Sequence, residues 1–307
     1  MEGVIVIVIL GPTGTGKTSL ALEICKSTGA EIISADSRQV YKHMDIGTGK
    51  IPGDADSSKI VWHDGYCEID KVKIWGYDLV NPDQYFSAYD FADFAFNKIQ
   101  DLKREGKKIV IAGGTGFYID VLAGRRKLSG TKPDAERRKA LETTPTKNLL
   151  DKLKLLNSER YEIIDKNNRR RIVRALEVEL GDSHDTPSHW KLTGEKFRFI
   201  GLSTNRSALY EKADKWVESI WQNGLIEEVR KLMADYPDSD KLDGFVYKSA
   251  VSYINGEVEK SEAISRSKYD IHAYIRRQQT WFKANHEIKW FDISHKNWRS
   301  EAENYAY

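Results

Sequence analysis

The sequence has few of the features that would point to a secreted, metal-binding or membrane protein. Its only cysteines, Cys25 and Cys67, lie far apart, which excludes a disulfide framework and offers no metal-ligand spacing. No stretch is long and apolar enough to span a bilayer, and the apolar amino-terminal run lacks the basic residues of a signal peptide. We therefore expect a cytoplasmic protein without membrane contact.

The sequence also lacks a strong charge of either sign. Its 307 residues include 48 Lys and Arg against 46 Asp and Glu, for a net charge of +2. Any nucleic-acid site must therefore be a local basic patch, because no global field attracts phosphate. Internal repeats and low-complexity tracts are missing too, so the length predicts either one α/β domain with an insertion or two modest domains.

The most informative stretch fits the phosphate-loop pattern G-x-x-x-x-G-K-[ST] and reads Gly11-Pro12-Thr13-Gly14-Thr15-Gly16-Lys17-Thr18. A β-branched run over 4–10 precedes it and predicts a central strand buried on both faces, and a helix is expected over 18–26. Backbone N–H groups, the Lys17 charge and the helix terminus suit phosphate, and the Thr18 hydroxyl suits Mg²⁺. The pattern predicts a polyphosphate ligand; the alternative is a glycine-rich turn without one.

Two further predicted strands end in polar residues. The strand over 31–34 ends at Asp36, and the strand over 108–112 runs into a glycine-rich turn that contains Thr115. Ligands of parallel sheets bind outside the carboxyl ends of the strands, so both residues should open on the same crevice as the phosphate loop. Asp36 could instead bond its own backbone in an Asx-turn. The Thr115 turn lacks the magnesium-holding acid of many kinases, although Asp36 or Asp78 could supply one.

The remaining patterns predict helices around this sheet. A helix over 87–104 begins at a serine cap, edge structure occupies 50–85, a strand covers 197–202, and one or two amphipathic helices cover 209–233. Residues 243–248 are interpreted as a loop, and further helices reach Lys283. Trp281 and Phe282 are expected in a packing seam. A last strand over 288–291 and a frayed end after Ser294 complete the prediction.

A basic, helical region interrupts the core from Arg125 onward. We interpret 124–196 as a mostly helical insertion domain, with 1–123 and 197–307 forming the core. The group around Arg137 is interpreted as a solvated helix face. Helical spacing places three further arginines on one face, where their guanidinium groups suit phosphate backbones: Arg170, Arg171 and Arg174.

Several blocks in order resemble one family. They read GPTGTGKT, ADSRQVYKHMDIGTGK, NPDQYFSAYDF, IAGGTGFYI, RRIVRALEV, GLIEEV and RRQQTWFK. From about Ile5 to Asp292 the chain closely resembles the tRNA dimethylallyltransferases, also called tRNA isopentenyltransferases. The first two blocks and GGTGFY are the specific part, since many kinases share the phosphate loop.

The resemblance implies an α/β fold of the P-loop NTPase type, a parallel sheet flanked by helices. It implies transfer of a dimethylallyl group from its diphosphate to the exocyclic amine of the adenosine 3′-adjacent to the anticodon. Asp36 matches the general base, Thr115 matches the hydroxyl that holds the adenine, and the phosphate loop with Lys17 would hold the diphosphate, with Mg²⁺ near Thr18. The blocks that match tRNA contacts, beside Asp36, contain Ser37, Arg38, Gln39, Arg170, Arg171, Arg174, Tyr247 and Lys248.

The sequence departs from this family at three places. Where the family usually carries an arginine that meets the diphosphate, the matching region reads Lys212-Ala213-Asp214-Lys215-Trp216. Lys212, Lys215 or Arg206 would compensate only as point charges, which predicts a loss of about 1–3 kcal/mol in leaving-group stabilisation. Val246 replaces a usual glycine, and Ile271-His272 replaces a usual threonine-arginine pair.

Three alternatives remain beside the expected monomeric tRNA-modifying enzyme. The phosphate loop alone fits a small-molecule or nucleoside kinase. Trp216 motivates a relative that binds tRNA with little or no activity. Transfer to a free adenine nucleotide is the third alternative, although a basic insertion of this size exceeds what a nucleotide needs.

Overall fold

The computed structural model describes residues 5–128, 131, 134–181 and 195–307. The described chain forms one mixed sheet. Its eight strands are β1 Ile5–Leu10, β2 Glu31–Ser34, β3 Ile60–His63, β4 Tyr66–Ile69, β5 Val72–Trp75, β6 Ile109–Gly113, β7 Lys196–Ser203 and β8 Lys289–Asp292. They lie in the order β3-β4-β5-β2-β6-β1-β7-β8.

β1 occupies the centre of the sheet, as its β-branched run predicts. It pairs in parallel with β6 on one side, where Leu10 faces Gly113, and with β7 on the other. β2 pairs in parallel with β6 and β5. β3, β4 and β5 form an antiparallel meander at one edge, which confirms edge structure within 50–85. The strand ends of β1, β2 and β6 therefore meet at one edge of the sheet.

Twelve α-helices surround the sheet within the described ranges. They are α1 Lys17–Thr28, α2 Ala88–Arg104, α3 Gly116–Leu122, α4 Ala135–Glu142, α5 Thr146–Leu156, α6 Ser158–Ile163, α7 Arg169–Glu179, α8 Arg206–Gln222, α9 Leu225–Asp235, α10 Phe245–Ile254, α11 Lys260–Phe282 and α12 Trp298–Ala306. The predicted capping holds for α2, because Ser87 and Asp90 form a capping box. None of these helices combines the length and apolar character that crossing a bilayer requires.

Apolar side chains divide into four clusters. One face of the sheet packs on α2 and α3, and the other packs on α1 and α12. A third cluster joins α8 to α11. A fourth lies within 141–180, where Ile172, Ala175 and Leu176 of α7 pack on α5 as predicted. These residues form a core of their own; the insertion domain over 124–196 stays a prediction, and 182–194 lie outside the described residues.

Two predictions about the carboxyl-terminal third are wrong. Residues 245–248 form the first turn of α10 rather than a loop, because Val246 and Tyr247 are fully buried against neighbouring helices. The chain after Ser294 is not frayed, since α12 buries Ala302 and Ala306 beside β7 and β8. The packing prediction for Phe282 is confirmed, and Trp281 packs on the same cluster while its Nε1 donates to Asp120.

Candidate functional site

A cavity of about 420 Å³ opens where the phosphate loop meets the carboxyl ends of β2 and β6. α8 and the segment 48–53 complete its wall. The crevice predicted from the strand ends is therefore present. Among its lining residues are Thr13, Gly14, Gly16, Lys17, Thr18, Ile32, Asp36, Gln39, Gly49, Ile74, Tyr77, Gly113, Gly114, Lys212, Lys215 and Trp216.

The phosphate loop takes the conformation that its glycines predict. Gly14 and Gly16 have φ values of 83° and 81°, in the left-handed region that disfavours other residues. A Cβ atom on Gly11 would lie 2.3 Å from the Leu202 carbonyl oxygen, so only glycine fits there. Lys17 Nζ donates to the Pro12 carbonyl at 2.9 Å. Burial lowers the Lys17 pKa to about 8, against the opposing effect of the Asp36 charge.

Asp36 both forms the predicted Asx-turn and faces the cavity. Its Oδ1 accepts a hydrogen bond from the Arg38 N–H at 2.9 Å, which is the Asx-turn, and its side chain also lines the cavity. Burial raises the pKa of Asp36, and the Arg38 hydrogen bond and the Lys17 charge oppose that rise. Asp36 and Lys17 therefore form an oppositely charged pair of groups in one cavity.

Thr115 lies beside the Asp36 turn. Its Oγ1 accepts from the Ser37 N–H at 3.0 Å and lies 3.3 Å from Ser37 Oγ. Gln39 Nε2 donates to the Gly49 carbonyl at 3.2 Å, which ties this turn to the cavity wall. The structure thus brings together the turn that contains Asp36 and the turn that contains Thr115.

Sequence reasoning missed Gln278, which joins the two glycine-rich loops. This buried α11 residue accepts from the Thr13 N–H at 3.0 Å and donates to the Gly114 carbonyl at 3.1 Å. Its signal lies in the helical periodicity, because Ile271, Ile275 and Phe282 form a buried stripe in which Gln278 is the polar member. A glutamine in such a stripe indicates a buried backbone partner.

Glu228 of α9 was missed as well. Its carboxylate accepts from the N–H groups of Asp45, Ile46 and Gly47 at 3.0, 2.7 and 3.1 Å. Tyr247 donates its hydroxyl to the same carboxylate at 2.8 Å. Burial, then the Glu228 charge, raises the pKa of Tyr247 well above its usual range, so the hydroxyl stays a donor. Glu228 therefore fixes the segment that leads into the cavity wall.

Lys50 and Asp78 form a buried ion pair behind that wall. The fully buried Lys50 ammonium also binds Asp45 and the Tyr41 carbonyl. The Asp78 carboxylate pairs with Lys50, and Asp78 is not among the residues that line the cavity. Asp36 is thus the carboxylate that faces the phosphate loop.

The predicted RNA-contacting residues differ in exposure. Arg170 and Arg171 are exposed, as is Lys248. Arg174 is half-buried and binds Glu177 and the Thr131 carbonyl. Tyr247 is fully buried, so its side chain supports Glu228 rather than facing outward, which corrects its place in the predicted contact surface.

Arg38 is held inside the protein by α10. Its guanidinium lies 5.2 Å from the Phe245 ring centre and 5.8 Å from that of Tyr247. The group also donates to the Lys241 carbonyl. Ser37 and Gln39 are half-buried beside it. The segment 36–39 therefore forms a rigid edge of the cavity.

The cavity offers a hydroxyl but few acidic ligands for a metal. The described ranges contain no cluster of three His, Cys, Asp or Glu side chains that could hold an ion. Thr18 lines the cavity beside the phosphate loop. A hydroxyl next to bound phosphate suits Mg²⁺, which keeps several waters and takes ligands from substrate phosphates.

Known proteins are similar to this chain in sequence and in fold. The IPP transferase family model matches residues 39–285, and an isopentenyl transferase model matches 4–62. The tRNA dimethylallyltransferase of Acetivibrio thermocellus is 36% identical over 94% of this chain and 91% of its own length. That of Clostridioides difficile is 35% identical over 95% of this chain and 93% of its own length.

Solved structures agree with these sequence matches. The tRNA isopentenylpyrophosphate transferase of Bacillus halodurans has a TM-score of 0.70 and 30% identity, covering 99% of this chain and 95% of its own. A eukaryotic dimethylallyltransferase acting on tRNA, at 21% identity and a TM-score of 0.75, shares the fold over 98% of this chain and 78% of its own. Because the family model matches residues 39–285 and the relatives extend over nearly the whole chain, this protein belongs to the IPP transferase family.

Proposed function

We propose that this protein transfers a dimethylallyl group from dimethylallyl diphosphate to the exocyclic amine of the adenosine 3′-adjacent to the anticodon in tRNA, releasing diphosphate. The observation that carries the proposal is a single cavity that joins a phosphate loop to the Asp36 carboxylate. The names of the full-length relatives supply the reaction class. Neither the cavity nor the names of the relatives favour a kinase.

The donor binds with its diphosphate on the phosphate loop. Backbone N–H groups of 13–18 and the Lys17 ammonium stabilise the negative charge that grows on the leaving group. Ile32, Ile74 and Tyr77 give the same cavity an apolar side for the dimethylallyl carbons. Mg²⁺ held near the Thr18 hydroxyl and the phosphates would supply further neutralisation of the diphosphate.

The acceptor adenosine enters from the anticodon loop. An unpaired loop base is cheaper to extrude than a paired one, and a closed pocket keeps water from the allyl group. The Thr115 hydroxyl holds the adenine, and Asp36 accepts the proton as positive charge builds on the amine nitrogen. Its raised pKa makes the carboxylate a better proton acceptor than an exposed aspartate.

The partners follow from this reaction. We place the anticodon stem-loop across segment 36–39 and the exposed arginines of α7, and we assign the protein to the cytoplasm, where tRNA is modified. We further propose that the enzyme acts as a monomer.

The proposal is tested with purified protein, Mg²⁺, labelled dimethylallyl diphosphate and an anticodon stem-loop. We expect isopentenyladenosine in the RNA, and a loss of at least about 100-fold in kcat for Asp36→Asn, since base catalysis typically contributes this much. Asp83→Asn, at an exposed carboxylate, should leave the rate unchanged.

The same assay separates the alternatives. Absence of prenylated product with every tRNA tested would overturn the proposal, and tight RNA binding in that case would indicate an inactive relative. Faster transfer to AMP than to the stem-loop would indicate a nucleotide prenyltransferase. ATP-dependent phosphoryl transfer without prenylation would indicate a kinase.

A further inference from the structure

Helix α8 forms one side of the cavity wall. Three of its residues line the cavity, namely Lys212, Lys215 and Trp216. Apart from these two lysines, the lining contains one more cation, Lys17 of the phosphate loop. α8 is thus the second source of positive charge for whatever the phosphate loop holds.

The two α8 lysines differ in their partners. Lys215 Nζ lies 2.6 Å from Glu211 Oε1, one turn earlier on the same helix. Lys212 is exposed and has no ion-pair or hydrogen-bond partner in the part of the chain that the structure describes. Its Cβ lies 3.8 Å from the place where a Cβ on Gly14 would be, so its stem begins directly above the phosphate loop.

Trp216 lies one turn beyond Lys212 and supplies no charge. Its indole ring lies 3.6–3.8 Å from the position of a Cβ on Gly49, where it forms part of the cavity wall. Lys215 pairs with Glu211, whereas Lys212 is the α8 cation of the lining with no ion-pair partner among the described residues.

α8 holds the Lys212 backbone in a fixed place. Leu209, Ala213 and Val217 are buried on its inner face. Asp214 also binds His272 of α11 at 2.8 Å, which holds α8 against that helix. Only the flexible four-carbon stem of Lys212 is then free to move toward a ligand.

We propose that Lys212 is a catalytic residue that contacts the leaving diphosphate. The inference rests on the proposed function. In the transfer, the C–O bond of the allylic diphosphate breaks and its electron pair stays on the diphosphate oxygen. The amine nitrogen forms the new C–N bond, and its proton passes to Asp36. The Lys212 ammonium stabilises the departing diphosphate while remaining protonated, and Lys17 does so from the phosphate loop.

The test compares Lys212→Ala, Lys212→Arg and Lys215→Ala, with Lys231→Ala at an exposed lysine of α9 as the control, after thermal melts show that each is folded. Steady-state kinetics give kcat/KM for the donor and KM for the stem-loop, and calorimetry gives the affinity for inorganic diphosphate with Mg²⁺. We expect Lys212→Ala to lose about 10- to 100-fold in kcat/KM for the donor, as for removal of one charge-stabilising donor, and to keep KM for RNA. Lys212→Arg should retain most of the activity, because it keeps the charge.

Two results would overturn the assignment of Lys212. One is an equal effect of Lys212→Ala and Lys231→Ala on donor kinetics, and the other is a loss confined to KM for RNA. Failure of the proposed function looks different, since wild-type protein would then make no prenylated RNA. In that case the diphosphate calorimetry still decides: affinity unchanged by Lys212→Ala contradicts the contact, and affinity weakened by Lys212→Ala but not by Lys231→Ala supports it.

Discussion

Two half-buried side chains of opposite charge, Asp36 and Lys17, determine how the cavity responds to pH. Asp36 must be ionised to accept the amine proton, and Lys17 must be protonated to stabilise the diphosphate. Burial acts on both in the same sense, favouring the neutral form, so it raises the Asp36 pKa and lowers the Lys17 pKa to about 8. The pH range in which both groups are charged is therefore narrower than for exposed side chains.

We expect a bell-shaped pH profile for kcat/KM of the donor. As pH rises above about 8, Lys17 loses its charge in the free enzyme and the rate constant falls toward tenfold per pH unit. As pH falls, Asp36 is protonated at a pH above its usual 3.8, which gives the acid limb. Asp83→Asn should give the wild-type profile. A flat rate constant between about pH 8 and 9.5 would contradict the role of the Lys17 charge.

The sequence predicted Lys17, Asp36, Thr115 and the Asx-turn of Asp36, but not the contact that Gln278 makes with the phosphate loop. Lys17, Asp36 and Thr115 lie in short motifs whose local geometry follows from glycine and strand ends. Gln278 acts on Thr13 across 265 residues, so its role depends on how α11 packs on the sheet. Periodicity marks Gln278 as buried, but no local pattern names the backbone groups that it binds.

At the scale of elements, prediction succeeded where the pattern was local and failed where tertiary packing decided. The central strand, the capped helix α2 and the two helices α8 and α9 follow from burial periodicity and capping. Residues 243–248, which carry an aromatic and a cation after Gly244, are interpreted from the sequence as a loop. Packing of Val246 and Tyr247 against α9 and α11 instead makes this segment helical.

The contact between α9 and segment 45–47 is the clearest case of one element holding another. Glu228→Gln should lower the free energy of unfolding by about 1–3 kcal/mol, because one amide oxygen cannot satisfy the donors that two carboxylate oxygens accept. Donor KM should also rise, since segment 45–47 leads into the wall at Gly49. Glu227→Gln, at the exposed neighbouring residue, is the matched control. Urea denaturation measures the free energy of unfolding of the two variants, and steady-state kinetics measure their donor KM. Equal midpoints and slopes for the two variants would contradict this role of Glu228.

At the scale of the whole molecule, nearly balanced charge makes RNA binding a matter of local surfaces. The net charge is +2, and many cations are already paired within the fold. Within the helical region 134–181, Arg138 and Arg174 both bind the buried Glu177, whose pKa burial would raise but these hydrogen bonds lower. These two arginines serve as partners of Glu177, whereas the exposed Arg170 and Arg171 are α7 cations without an ion-pair partner among the residues that the structure describes.

This division predicts how RNA affinity depends on salt. Each lysine or arginine that meets a phosphate adds about 0.7–0.9 to the slope of log affinity against log salt concentration. Arg170→Ala combined with Arg171→Ala should therefore weaken stem-loop binding and reduce the slope by about 1–2, with kcat at saturating RNA unchanged. Fluorescence anisotropy over a salt series measures both quantities.

The matched control removes two exposed cations from another helix, with Arg230→Ala and Lys231→Ala on α9. Equal losses for the two pairs would mean that RNA responds to total charge, which contradicts an interface on α7. A smaller slope for the α7 pair alone would instead place phosphates on that helix. Because Arg174 is held by Glu177, adding Arg174→Ala should lower the stability of the helices within 134–181, whereas the salt slope should change little beyond that of the α7 pair.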